Sequence, residues 1–194
     1  MQIKRLFSTY GVKGTERYLD IQKKYEAART LLYFGISAAL FIAGYFQTKS
    51  RINLLTVVAI LGCLPASKSA VSAIMFLRFH SCLPEYAVQV REHSQGLAVL
   101  FDCVFTSYKK NFRVSHMAVR GNTVCGFSED GDFPENDFYK HIGNILKLDG
   151  HKEVTVKIFV SLPKYLERLE QMKSLEEEEV KTSAVVETLK SVIL

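Results

Sequence analysis

The chain has 194 residues, 48% of them hydrophobic, and a formal net charge of +5. That length allows one ordinary globular domain, or a membrane segment joined to one small soluble domain. It excludes a large protein interior in which a helix that is apolar on all sides could be buried. Positive charge is concentrated in the N-terminal region and in the stretch SYKKNFR, whereas the C-terminal third is acidic.

Residues 1–30 are predicted to form a basic amphipathic N-terminal helix, capped near Thr15, that runs along the cytosolic face of a membrane. No apolar run occurs near residue 10, which argues against a cleaved secretory signal peptide. The first 15 residues are basic, contain Ser8 and Thr9 and hold no acid, so a mitochondrial presequence is an alternative.

Two uncharged blocks follow, and together they predict a two-helix transmembrane hairpin over residues 31–79. The spans cover about 31–47 and 53–77 and are joined by the polar link TKSR. The first is close to the minimum of roughly 17 residues for a spanning helix, and the second is longer than the roughly 30 Å hydrocarbon layer. Pro65 lies inside the second span, where a membrane helix tolerates a kink.

A polar group of three residues, Lys68 with Ser67 and Ser69, interrupts the second span. If the helix begins near Asn53, Lys68 lies about 22 Å along it, and its side chain can reach the far interface. The alternative is a broken-helix site in which the three side chains line a small polar cavity, as in transporters. The first interpretation makes Lys68 structural, and the second makes it functional.

Small residues predict where the two helices touch each other. They recur every three or four residues along each span, which lets helix backbones approach closely in a membrane. The alternative is that alanine is simply common in membrane helices. The predicted contact stripes consist of Gly35, Ala39 and Ala43 in the first helix and Ala59, Cys63, Ala66, Ala70 and Ala73 in the second.

The distribution of positive charge predicts the orientation of the hairpin, because basic residues mark the cytoplasmic side of a membrane. Seven Lys and Arg residues precede the first span, whereas the link between the spans offers only Lys49 and Arg51. We therefore expect both termini in the cytosol at the plasma (cytoplasmic) membrane, with a mitochondrial membrane as the alternative. The expected lipid partner is an anionic cytoplasmic leaflet.

Residues 84–175 have the pattern of a small cytosolic α+β domain. A short helix over 84–95 precedes three strand-like runs rich in Val and Phe, which are followed by a helix, a strand and a last helix. The order α-β-β-β-α-β-α predicts a mostly antiparallel sheet. Residues 176–194 are an acidic and then amphipathic C-terminal tail, expected to dock on a partner or on the membrane.

The element order over about residues 84–160 resembles the core of the restriction-endonuclease-like nucleases, which include membrane-tethered nuclease-related domains. The resemblance implies a metal-binding acid on one strand and an acid-x-lysine pair on a later strand. Asp102 in LFDCVF takes the place of the first acid. Glu129 in NTVCGFSED is the later acid, but no lysine lies two residues after it.

His116 is the third candidate for chemistry in this domain. Period-2 alternation places Asp102 on the same face of its strand as Leu100 and Val104, where a core residue is expected. A carboxylate in that position lies either on a solvated edge, or partly buried with a raised pKa and a hydrogen-bond partner, and we predict the second arrangement, with His116 on the neighbouring strand as the partner. A thiolate–imidazole pair of Cys103 with His116 is an alternative arrangement.

The cysteines and histidines do not have the spacing of metal ligands, since there is no C-x-x-C motif and no helical pair of histidines. A phosphate-binding glycine loop is missing as well, so we expect no metal and no cofactor. Nucleic acid competes with anionic lipid as an explanation of the positive charge. Its footprint around the strand turns would be Lys109, Lys110, Arg113 and Arg120.

These observations favour a membrane-anchored cytosolic binding or regulatory module without catalytic activity, working with a protein partner or as a homo-oligomer. A small transport or pore-forming subunit is the second class, and it would use the broken helix around Lys68. A membrane-tethered nuclease domain, active or degenerate, is the third, and it would need acids gathered around Asp102.

Overall fold

The computed structural model describes residues 13–49, 53–108 and 110–194. This part of the chain contains six helices and one four-stranded sheet. The helices are α1 (Tyr18–Thr48), α2 (Leu54–Leu77), α3 (Pro84–His93), α4 (Glu135–Leu148), α5 (Leu162–Lys173) and α6 (Glu179–Val192). The strands are β1 (Ala98–Thr106), β2 (Asn111–Arg120), β3 (Thr123–Phe127) and β4 (Thr155–Phe159).

The described residues form two compact units. The helical unit comprises residues 19–80 and holds α2 and almost all of α1. The α+β unit comprises residues 13–18 and 81–194 and holds the sheet with the other four helices. Two long apolar helices thus precede an α+β arrangement, as the sequence predicts.

α1 is one continuous helix that joins the polar N-terminal segment to the first apolar block. Residues 1–12 of the predicted N-terminal helix lie outside the described part of the chain. The helix begins at Tyr18, whose amide donates to the carbonyl of Thr15 at 3.2 Å. No boundary occurs at residue 30, since the helix runs unbroken through it. The hydroxyl of Thr30 donates to the carbonyl of Glu26, one turn earlier, at 2.8 Å.

α2 begins after Asn53, whose side-chain oxygen accepts a hydrogen bond from the amide of Thr56 at 2.8 Å. This is an ordinary N-cap, which satisfies one of the free amides at a helix start. Pro65 lies inside the helix without ending it. Both α1 and α2 are long and apolar enough to be candidate membrane spans by length and composition.

The contact between α1 and α2 uses a different row of α1 from the predicted one. Gly35, Ala39 and Ala43 are exposed. Ser37 and Gly44 are buried instead, and at 3.6 residues per turn they lie about 150° around the helix from the predicted row, close to its opposite side. Small residues at a spacing of four occur on more than one side of a helix, so the spacing alone does not identify the side that meets the partner.

On α2, Ala59, Ala66 and Ala73 of the predicted stripe are buried, whereas Cys63 is exposed and Ala70 is half-buried. The buried three are spaced by seven residues, or about two helical turns.

Two glycines permit the close approach of the long helices. A Cβ atom on Gly62 would lie 2.7 Å from Oγ of Ser37, and one on Gly44 would lie 2.7 Å from Oδ1 of Asn53.

The sheet has the strand order β1-β2-β3-β4. β1, β2 and β3 form the predicted antiparallel meander, and β4 pairs in parallel with β3 after a crossover through α4. The turn between β2 and β3 uses Gly121 at φ +53°, a left-handed conformation that glycine adopts without strain. The sheet is therefore mixed, with one parallel ladder.

Helices cover both faces of the sheet. On one face, α4 and α6 pack on the strands through side chains such as Phe138 and Leu189. On the other face, α3 and α5 pack on the strands, with Leu169 in the centre of the contact. Alternation along β3 separates the two layers, since Val124 belongs to the first and Cys125 to the second.

The C-terminal tail is part of the α+β unit. Its amphipathic segment forms α6, and Val185, Leu189 and Ile193 are buried in the layer that α6 shares with α4. The unit therefore extends to Leu194 and does not end near residue 175. The apolar face of the tail, which had suggested docking on a partner or on the membrane, is covered by the chain's own sheet.

The two ends of the α+β unit also cover the outer edge of β1. The amide of Phe101 donates to the carbonyl of Gly14 at 2.8 Å, and the amide of Leu194 donates to the carbonyl of Val104 at 2.9 Å. Tyr18 donates from its hydroxyl to the carbonyl of Leu194 at 3.1 Å. Because an uncovered edge strand pairs readily with other chains, these contacts protect this side of the sheet.

Candidate functional site

Asp102 lies at a kink in β1. Its φ is +53°, a left-handed conformation that aspartate tolerates better than most residues. Before the kink Leu100 faces α4 and α6, whereas after it Cys103 and Phe105 face them. The expectation that Asp102 shares one face with Leu100 and Val104 is corrected, because the strand turns over at Asp102 itself.

The neighbouring strand β2 also reverses the faces of its side chains, opposite the kink in β1. Cys103 pairs with Val114, so the kink at Asp102 stands opposite Ser115. Val114 and Met117 both belong to the layer beneath α4 and α6, although they are three residues apart. The two strands therefore turn over together, and the ladder continues in register through the kink.

Two carboxylates accept hydrogen bonds from consecutive amides just before α3. Asp102 Oδ1 accepts from the amide of Cys82 at 2.8 Å, and Glu129 Oε1 accepts from the amide of Leu83 at 3.1 Å. α3 starts at Pro84 and has no side-chain cap of its own. The carboxylates thus tie the beginning of α3 to β1 and to the end of β3.

Arg113 on β2 balances the charge of Glu129 and of the adjacent Asp130. Its Nη1 and Nη2 atoms lie 3.4 Å from Oε2 of Glu129, and Nη2 lies 3.2 Å from Oδ1 of Asp130. The side chains of Arg113 and Glu129 are each 7% exposed. A buried charge is tolerated when it is paired in this way, whereas removal of one partner leaves the other unpaired. We call Asp102, Glu129 and Arg113 the carboxylate network.

The carboxylate network has the chemistry of a structural connection. Asp102 and Glu129 do approach the same segment, but an arginine occupies the position beside Glu129 where a cation would bind. Among residues 13–49, 53–108 and 110–194, no three His, Cys, Asp or Glu side chains are arranged to hold a metal ion. Burial and the neighbouring Glu129 raise the pKa of the Cys82 thiol, which makes it a poor nucleophile.

Two substitutions at Asp102 should distinguish the stability that comes from its backbone conformation and hydrogen bond from the stability that comes from its charge. Asp102→Ala is expected to lower the free energy of unfolding by about 2 to 4 kcal/mol, because the amide of Cys82 loses its acceptor and alanine is strained at positive φ. Asp102→Asn should cost less than about 1 kcal/mol, since its side-chain oxygen can still accept and asparagine tolerates that φ. Urea unfolding in detergent micelles measures both, with the exposed Asp132→Ala as the control. Equal losses in the two variants would show that the charge itself is required.

His116 is hydrogen-bonded to a different residue from the one predicted. Its Nδ1 lies 2.6 Å from the hydroxyl of Tyr165 on α5, and its ring packs edge-on against Phe101 at 4.5 Å between centroids. Asp102 instead binds the amide of Cys82, as described above. Burial lowers the pKa of His116 from 6.5 to about 3, so its imidazole is neutral at physiological pH.

Cys103 and His116 do not form a thiolate–imidazole pair. The thiol of Cys103 lies in the layer beneath α4 and α6, whereas His116 bonds to Tyr165 in the layer of α5. Burial raises the pKa of the Cys103 thiol, and the nearby charge of Asp102 adds to the rise. The two groups are therefore on opposite faces of the sheet, and each is in its uncharged form.

The polar residues of α2 do not converge on one cavity. Ser69 is buried and its hydroxyl lies 3.0 Å from that of Thr30 on α1. Ser67 is exposed and donates to the carbonyl of Cys63 one turn earlier in its own helix. Lys68 is exposed as well. The three side chains thus point in different directions around α2, and the geometry does not favour a transport site.

The basic residues proposed as a nucleic-acid footprint are largely engaged with acids. Lys110 pairs with Asp137 at 2.8 Å, and Arg113 is buried in the carboxylate network. Arg120 donates from Nε to the carbonyl of Leu175 at 2.8 Å. Lys109 lies outside the described residues. Each of the three described residues of the predicted footprint therefore has a partner within the protein.

A groove that the sequence did not suggest lies between β4 and α5. It has a volume of about 460 Å³ and is lined by Lys157, Phe159, Lys164, Glu167, Arg168 and Gln171. Lys157 and Phe159 alternate on one face of β4, and the others recur at helical spacing on α5. Each pattern was visible in the sequence, but only the packing of α5 beside β4 brings the two together.

The carboxylate network, the buried histidine and the groove are three polar features of the α+β unit. Comparisons of the chain with protein-family models, with curated proteins and with solved structures find no match. Of the three features, the groove is the one whose side chains reach solvent and can meet a ligand.

Proposed function

We propose that the protein is a membrane-anchored binding or regulatory module, in which α1 and α2 form a transmembrane hairpin and the α+β unit lies in the cytosol. The exposure of large apolar side chains on both long helices carries this proposal. Leu31, Phe46 and Leu54 are 76%, 75% and 79% exposed. Transfer of such surface from water to hydrocarbon is favourable by about 25 cal/mol per Å².

The lengths of the two helices support the same arrangement. α2 has 24 residues and is therefore about 36 Å long, which exceeds the roughly 30 Å of a hydrocarbon layer. α1 has 31 residues, and its uncharged part lies between Arg29 and Lys49. A helix that crosses a bilayer satisfies its backbone amides and carbonyls internally, as both of these do.

The flanking charges support an orientation with both ends in the cytosol. Lys23, Lys24 and Arg29 precede the apolar part of α1, in addition to the basic residues nearer the N-terminus. Such clusters stay on the cytoplasmic side of the plasma (cytoplasmic) membrane and are attracted to its anionic lipids.

The polar interior of the α+β unit supports a binding role over a catalytic one. Asp102 and Glu129 are occupied by backbone amides, and Glu129 is also paired with Arg113. His116 is neutral and fully buried beside Tyr165. A catalytic group has to reach substrate with a proton or a charge to exchange, and these groups face the protein interior. The partner of such a module is a protein or a second copy of the chain.

Labelling of single cysteines in intact cells tests the topology. In a Cys63→Ser background, Ser183→Cys should resist a membrane-impermeant thiol reagent until the cells are permeabilised, because residue 183 is exposed on the cytosolic unit. Lys49→Cys, between the two spans, should be labelled in intact cells.

Extraction at alkaline pH is the companion measurement, and the protein should stay with the membrane. Release of the protein, or labelling of Ser183→Cys from outside, would contradict the proposed arrangement.

A further inference from the structure

β4 is the uncovered edge of the sheet. Within the described residues it pairs only with β3, whereas the opposite edge, at β1, is covered by both ends of the unit. Thr155 donates to the carbonyl of Asn122 at 2.8 Å, and the carbonyl of Phe159 accepts from Ser128 at 2.9 Å. Because hydrogen bonding alternates along a strand, Val156 and the other even-numbered residues direct their amides and carbonyls away from β3.

One group on this edge is already covered by a side chain. The amide of Ile158 donates to the hydroxyl of Tyr139 at 3.0 Å. That contact shows that the even-numbered amides of β4 do point outward. Among the described residues, none accepts a hydrogen bond from the amide of Val156 along this edge.

The groove described above runs alongside this edge. Three of its lining residues, Lys157, Lys164 and Arg168, are cationic, and one, Glu167, is an acid. The ammonium of Lys157 lies 5.2 Å from the centre of the Phe159 ring, which holds it over the groove by a cation–π contact. The groove therefore combines an excess of positive charge with an aromatic wall.

Arg168 lines the groove with a guanidinium that a neighbouring side chain orients. Its Nη1 donates to Oε1 of Gln171 at 3.1 Å, which orients the guanidinium. Its Nε is buried against the sheet, where the thiol of Cys125 lies beside the guanidinium, so a ligand in the groove can reach only the terminal nitrogens of Arg168. A carboxylate of a ligand is a suitable partner for this cation.

We propose that the β4 edge and this groove bind an extended acidic peptide segment of a partner protein, which adds to the sheet as a fifth strand. The backbone of the peptide pairs with the outward groups of Val156, and one of its acidic side chains reaches Arg168. Strand addition at an open sheet edge supplies affinity through the backbone, and pockets for alternate side chains supply specificity. This inference rests on the proposed function as a binding module and names its partner class.

Charge argues against a second copy of the chain at this edge. Antiparallel pairing of two β4 strands about a twofold axis would place both α5 helices on the same face. The two grooves would then merge, and Lys157, Lys164 and Arg168 of one copy would approach their equivalents in the other. Lysine on an edge strand is a known protection against self-pairing, and it still admits an acidic strand.

Binding is measured on the full chain in neutral detergent micelles with a short fluorescein-labelled peptide in which glutamate alternates with valine. We expect saturable binding that weakens as salt is added. Lys164→Glu and Arg168→Gln should each weaken it by about tenfold or more, because each removes a charge that faces the peptide. Lys147→Glu, an exposed lysine on α4, is the matched control and should leave binding unchanged.

Two further peptides test the mode of binding. A version N-methylated on the amides that face β4 should not bind, since it cannot form the strand hydrogen bonds, and a version with lysine in place of glutamate should not bind either. Binding of the N-methylated peptide, or no effect of Lys164→Glu, would overturn the inference. So would equal competition by a single-stranded oligonucleotide, or dimerisation of the chain that Lys164→Glu abolishes.

The two proposals can fail separately. Failed peptide binding with the expected cysteine labelling would remove this inference and leave the membrane anchor. Peptide binding with the opposite labelling would remove the proposed topology and leave the groove.

Discussion

Leu189→Ala is expected to lower the free energy of unfolding of the α+β unit by about 2 to 5 kcal/mol. Leu189 lies on α6 with none of its surface exposed, in the layer shared with α4. Truncation to alanine removes buried apolar surface and leaves a cavity that the neighbouring helices fill only in part. Urea unfolding followed by tyrosine fluorescence measures the change.

The same helix supplies a matched control. Val180 is 85% exposed, so Val180→Ala should change the free energy of unfolding by less than about 0.5 kcal/mol. Truncation after residue 178 is the more severe test, because it removes all of α6 and uncovers the edge of β1 at Val104. The truncated chain should lose cooperative unfolding. Normal stability after truncation would show that the tail is a separate docking segment.

The architecture could be predicted from the sequence because its signals are local. Uncharged blocks of sufficient length indicated the two long helices, and runs rich in Val and Phe between polar turns indicated the strands. Proline and glycine mark the ends of helices, as Pro84 does at the start of α3 and Gly150 does just after α4. Each of these signals depends on neighbours in the chain and needs no knowledge of distant contacts.

The kink at Asp102 could not be predicted in this way. Period-2 alternation assumes that every residue of a strand is extended, and a single left-handed residue reverses the faces of all residues after it. Nothing in LFDCVF distinguishes an aspartate that turns the strand over from one on a solvated edge. The hydrogen bond from the amide of Cys82, 20 positions earlier in the sequence, stabilises the kink and depends on tertiary structure.

Amphipathic patterns identified apolar faces but not what covers them. The apolar face of the tail, which includes Val185 and Leu189, was predicted to dock on a partner or a membrane, but it packs on the sheet of the same chain. The same limit applies to α1, where Ser37 and Gly44 face α2 in place of the predicted Gly35 row. The groove beside β4 could not be predicted for a related reason. Its lining residues come from two distant segments of the sequence, and they form one site only because α5 packs against β4.

Acid is expected to destabilise the α+β unit through His116. The imidazole has a pKa of about 3 in the folded protein because of its burial, against about 6.5 when exposed. Between these values the unfolded chain binds a proton that the folded chain does not. The contribution of His116 therefore leaves the stability unchanged above pH 6.5 and lowers it as the pH falls from 6.5 towards 3, with a slope of up to about 1.4 kcal/mol per pH unit.

His116→Gln should remove this slope, because glutamine can keep a hydrogen bond to Tyr165 but does not titrate. His93→Gln is the matched control, since His93 is only half-buried at the end of α3 and its Nδ1 lies 2.9 Å from the carbonyl of Gln89. Urea unfolding at a series of pH values measures the slopes, and the comparison does not depend on the absolute stability of either variant. In the intact protein, the imidazole proton signals of His116 should stay constant between pH 7 and 5. Titration of those signals near pH 6.5 would mean that the ring is open to solvent, and the burial of His116 between Phe101 and Tyr165 would then not hold in solution.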